Sequence, residues 1–87
     1  MSDPRIESIR KEIAARDRAI LDAMNARLEL VAELKRHKQQ AGIEFVDPAQ
    51  EGRLLTALEK ANNGPLSAEG LRRLFQEILA LTKREVD

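Results

Sequence analysis

Between Pro4 and Gly42 the chain contains neither glycine nor proline. Asp3 before Pro4 is a helix start, an acceptor side chain followed by a residue whose missing N–H costs nothing in the first turn. Apolar residues then recur at Ile6, Ile9, Ile13, Ile20, Met24, Val31 and Leu34, close to helical period. The stretch predicts one helix of about 35 residues, roughly 50 Å long at 1.5 Å per residue. Any fold of this chain must accommodate that rod.

Two shorter helices follow. Gly42 ends the first, and "GIEFV" leads to a second Asp-Pro start at Asp47 and Pro48. Leu54, Leu55, Leu58 and Ala61 form a stripe there, and "NNGP" at residues 62–65 is expected to stop it by glycine followed by proline. Ser67 caps a third helix whose inward residues are Leu71, Leu74, Phe75, Ile78 and Leu79. With no strand signal and no repeat, the 87 residues are expected to form a single all-α domain of three helices, one long and two shorter. Helices of about 15 to 20 residues cannot cover a rod twice their length, so an apolar stripe would stay open on a monomer. An intertwined homodimer closes it. Antiparallel two-fold pairing of the long helices sets residue i opposite a residue near about 43 − i.

The composition narrows the chemistry. There is no cysteine and one histidine, His37, which removes thiolate nucleophiles and the usual zinc sites and leaves no cluster for a metal. Fifteen basic against fifteen acidic residues give no long-range field for nucleic acid or an anionic membrane, and two Phe without Trp or Tyr provide almost no base-stacking surface. No run of signal-peptide or membrane-spanning character occurs, so a cytoplasmic location is expected. Any catalysis must then come from Arg, Lys, Glu and Asp.

Three cations lie near the inward columns of the long helix, where packing does not require them: Arg10, Arg27 and Lys38. Arg27 and Lys38 are three turns apart, about 16 Å, and two long side chains from one face can converge on an anion of metabolite size. Arg10 is about 25 Å from Arg27 along the same helix and cannot share that ligand within one chain. Antiparallel pairing brings the partner's Arg10 opposite a position near residue 33, between the other two. Three cations from two chains would then surround one pocket suited to carboxylates or phosphates. Taken singly, each reads more readily as a solvated or snorkelling charge; it is their convergence that points to a site.

The second helix start also has two readings. Asp47-x-x-Gln50 makes a capping box, which by itself accounts for Gln50. Glu51 either complements the helix dipole, pairs with a cation or accepts a ligand hydroxyl. Thr82 falls on the stripe of the last helix, its hydroxyl facing the pocket or back-bonding to Ile78. His37 and the runs "RHK" and "KRE" read as solvated.

The stretch "IESIRKEIAARDRAILDAMNARLELVAELKRHKQQAGIEFVDPAQEGRLL" resembles the first half of the all-helical chorismate mutases, and "NNGPLSAEGLRRLFQEILALTKRE" resembles their last helix. The spacing of Arg10, Arg27, Lys38, Asp47-Pro48 and Glu51 carries the resemblance. It implies an intertwined homodimer that rearranges chorismate to prephenate with no metal or cofactor. It further implies that the partner's Arg10 and Arg27 grip two carboxylates. Lys38 would donate to the ether oxygen, Asp47 and Glu51 would contact the ring hydroxyl, and Thr82 would lie at a carboxylate. Two positions depart from the family pattern: Gln50 stands where an arginine is usual, and Val86 where a glutamine or glutamate commonly faces the ether oxygen. Those departures keep open a weakened chorismate- or prephenate-binding regulatory module, an isochorismate pyruvate lyase, a purely structural helical dimer, and completion of the site by a partner enzyme of the aromatic pathway.

Overall fold

A computed structural model describes residues 3–86. The chain forms α1 (Pro4–Ala41), α2 (Pro48–Ala61) and α3 (Ala68–Glu85). At 38 residues, α1 is slightly longer than the apolar pattern predicts. Its start is as expected, with the Asp3 carboxylate accepting from the Arg5 N–H at 2.8 Å. Gly42 stops it at φ 70°, the left-handed conformation that an L side chain adopts only at a cost, and the Ile43 N–H donates to the Lys38 carbonyl at 2.8 Å.

The end of α2 differs from expectation. Asn62 is the cap, in extended conformation, and Gly42 alone has positive φ among the described residues. The Asn62 side chain donates to the Leu66 carbonyl at 2.8 Å and accepts from the Gly64 N–H at 3.1 Å. Asparagine thus satisfies the turn through its amide, and the left-handed glycine expected here is not required. Ser67 caps α3 as expected, its hydroxyl accepting from the Gly70 N–H at 3.0 Å.

Packing is confined to one end of the molecule. α3 lies against both α2 and the C-terminal half of α1. Leu71, Thr82 and Val86 are the buried residues among those described, with Phe75, Ile78 and Leu79 half-buried beside them. Leu74, assigned above to the inward face, is exposed instead; its direction from the α3 axis diverges from that of Leu71, Ile78 and Thr82. Arg72 bridges α3 to Glu59 of α2 at 2.6 Å, and this hydrogen bond, with the attraction of the carboxylate, raises the Arg72 pKa above its ordinary value.

The other half of α1 touches nothing. Every described residue from Asp3 to Ala23 is exposed, Ile13 at 54% and Ile20 at 67%. The radius of gyration is 17.0 Å, against about 12 Å for a compact chain of this length. The molecule extends 61 Å along its long axis.

Candidate functional site

One cleft, of about 130 Å³, lies where all three helices and the α1–α2 linker meet. Each element contributes for a local reason. On α1, Arg27, Val31, Leu34 and Lys38 follow one another at three- and four-residue steps, so one helix face presents two cations separated by two apolar residues. The Gly42 turn brings the linker back across the end of α1, which places Phe45, Val46 and Asp47 on the cleft wall. The first turn of α2 adds Gln50 and Glu51, and the last turns of α3 add Leu79, Thr82 and Lys83.

The polar groups are held by specific partners. Arg27 donates through Nη1 to the Thr82 hydroxyl at 2.8 Å, and that hydroxyl donates to the Ile78 carbonyl at 2.6 Å. Both expectations for Thr82 therefore hold together: the back-bond orients the oxygen, and its lone pair orients the guanidinium. Lys38 donates to the Phe45 carbonyl at 3.2 Å, a single bond from an ammonium with three protons to give. Lys35, just outside the cleft, donates to the Val86 carbonyl at 3.2 Å and sits 5.2 Å above the centre of the Phe45 ring. It thereby ties the linker and the end of α3 to α1.

At the α2 start, the Asp47 carboxylate accepts from the Gln50 N–H at 3.1 Å, the first half of the expected capping box. The second half is not made. The Gln50 side-chain oxygen instead accepts two bonds from Arg53, at 3.1 and 2.9 Å. Because a guanidinium only donates, Arg53 must face the amide oxygen, which leaves the amide N–H₂ of Gln50 as the free end beside the cleft. Glu51 pairs with Lys83 of α3 at 2.8 Å, closing the cleft on that side.

Six of the eight residues singled out from the sequence thus line one cleft: Arg27, Lys38, Asp47, Gln50, Glu51 and Thr82. Arg10 lies on the bare half of α1, exposed and remote from it. Val86 is the α3 cap; the residue is 6% exposed and lines a separate groove with Leu28, Ala32 and Lys35. The helix has ended there, and the backbone turns the side chain beneath α1. Lys83 was missed, because the run "KRE" reads as solvated charge. The available signal was its register: four residues after Leu79, it shares that residue's face of α3.

The lining sets an arginine and two lysines around an apolar floor, with two carboxylates at one edge, a composition suited to a small anion. Comparison with known proteins agrees. A family profile described as chorismate mutase type II matches residues 9–86. Among solved structures, chorismate mutase form II from Thermus thermophilus is 35% identical, with a TM-score of 0.88 over 92% of this chain and 91% of that one. Form I from the same organism is 36% identical, with a TM-score of 0.87 over 90% of this chain and 98% of that one. No curated protein sequence matches significantly. With nearly the whole chain covered by both the profile and the two structures, the protein belongs to the type II chorismate mutase family.

Proposed function

We infer that this enzyme converts chorismate to prephenate in clefts that each need two chains, as a homodimer working in the cytoplasm on the route to phenylalanine and tyrosine. Family membership supports the mutase reading over a binding module, a lyase or a structural dimer. The observation that carries the site is the convergence of Arg27, Lys38, Asp47, Glu51 and Thr82 on one cleft.

The reaction is a one-substrate pericyclic rearrangement. The ether C–O bond of the enolpyruvyl group breaks as a C–C bond forms to the ring, and no proton or electron is exchanged with the protein. Catalysis therefore reduces to holding the dicarboxylate in its compact chair and stabilising charge on the departing oxygen. Arg27, oriented by Thr82, holds one carboxylate. Lys38, with two unspent protons, donates to the ether oxygen. Asp47 and Glu51 receive the ring hydroxyl, and the free amide N–H₂ of Gln50 is a neutral donor.

Arg10 takes the second carboxylate from the partner chain. The exposed stripe from Ile6 to Leu21 supports this, since an antiparallel partner would cover it while delivering Arg10 to the neighbouring cleft. The test is to mix Arg10→Ala with Arg27→Ala subunits, each inactive alone. After random exchange half of the dimers are mixed, each with one intact site, so activity should return to about a quarter of the unaltered level. A mixture as inactive as its parents would rule out the shared site. Loss of chorismate measured by ultraviolet absorbance, with prephenate identified as product, tests the activity itself.

A further inference from the structure

We propose that Lys83 is a substrate-binding residue, the cation that brings the cleft into charge balance with its dianionic substrate. The proposal rests on the mutase reading above. Within one chain the cleft holds the cations Arg27, Lys38 and Lys83 against the carboxylates Asp47 and Glu51, one net positive charge. The partner's Arg10 adds a second, which matches a dicarboxylate. Without Lys83 the chain's own share is neutral, and a dianion entering a low-dielectric cleft would be under-compensated.

The other nearby cation does not fill this role. Arg53 has its guanidinium directed at the Gln50 oxygen, and it lines the outer surface of α2 with Ala49, Gly52 and Thr56. Lys83 lines the cleft itself, as Gln50 does, and follows Thr82 in sequence. Its Nζ lies 2.8 Å from Glu51, and its side chain is 42% exposed, leaving room to move on a flexible stem. With three protons, the ammonium can keep Glu51 with one and give another to a substrate carboxylate. Glu51 is the partner that holds the ammonium at the cleft, and with substrate bound the same contact sets the Glu51 carboxylate toward the ring hydroxyl.

A partly exposed ion pair contributes little to folding, so a purely structural Lys83 would be nearly silent on substitution. The test compares Lys83→Gln, Lys83→Arg and Lys83→Gln in a Glu51→Gln background, measuring kcat and KM with chorismate. Loss of a charged hydrogen bond predicts a KM rise of about tenfold or more for Lys83→Gln with kcat changed much less. Lys83→Arg should stay within about threefold, since charge and donors are retained. The KM rise should persist in the Glu51→Gln background. If it vanishes there, Lys83 acts only by holding Glu51 and the proposal fails; it fails equally if Lys83→Gln is silent. Should unaltered protein not turn over chorismate, the activity is refuted separately. Calorimetric titration with chorismate then decides on Lys83: weaker binding by Lys83→Gln supports the assignment, whereas equal affinities, or no binding by either protein, overturn it.

Discussion

The two halves of α1 are made of the same material and meet opposite fates. Residues 4–23 carry Ile6, Ile9, Ile13, Ile20 and Leu21 and are exposed throughout, whereas residues 24–41 pack against α3 and supply Arg27, Val31, Leu34 and Lys38 to the cleft. The apolar pattern runs through both without a break. What differs is the supply of partners, because α2 and α3 are long enough to cover only one half. An isoleucine just over half exposed forgoes about 1 to 2 kcal/mol of burial, and Ile6, Ile9 and Leu21 add to this along the bare half. The contrast shows that a helix can be complete as secondary structure and unfinished as tertiary structure.

The largest effect should come from spoiling the bare half. Ile13→Glu with Ile20→Glu places four charges in the proposed two-fold interface and removes four apolar side chains from it, about 4 kcal/mol or more of association energy. Sedimentation should find monomers at micromolar concentration, with activity lost although no cleft residue of the packed half has changed. A double variant that stays dimeric and active would mean the bare half faces something other than its copy.

A smaller effect should sharpen the contrast from the packed side. Thr82→Ala removes the acceptor that orients Arg27 and leaves the half-buried guanidinium bond unmade, a loss of about 1 to 3 kcal/mol in kcat/KM or in stability. Dimerisation should be unchanged, and Thr82→Ser should restore most of the loss. If serine behaves like alanine, the methyl group's packing rather than the hydroxyl is what matters.

The smallest expected structural change belongs to Gln50→Arg. The cap at Asp47 uses the backbone N–H of residue 50 and not its side chain, so melting should shift by less than about 1 kcal/mol equivalent. A charged donor replacing a neutral one beside a dianion should raise kcat/KM by about tenfold. Releasing Arg53 from the Gln50 oxygen offsets part of that gain, since the two guanidiniums then lie one turn apart. An unchanged kcat/KM would indicate that a cation at position 50 does not reach the substrate.

What the amino-acid sequence determined by itself is what short-range chemistry decides. Asp3-Pro4, Gly42, Asp47-Pro48 and Ser67 mark element ends because a cap is satisfied within a few residues, so the three helices and the faces bearing Arg27, Lys38 and Thr82 were legible. Even there, side chains with two local options escaped: Gln50 chose Arg53 over the Asp47 backbone, and Asn62 ended α2 in place of a glycine. Only the tertiary structure decided that Lys83 meets Glu51, that Leu74 turns outward, and that Val86 lies beneath α1 rather than in the cleft. Those outcomes depend on the rotation of α3 about its axis as it packs against α1 and α2. Helical periodicity specifies which residues share a face; the angle at which that face meets its neighbours is set by side-chain packing between segments far apart in the chain.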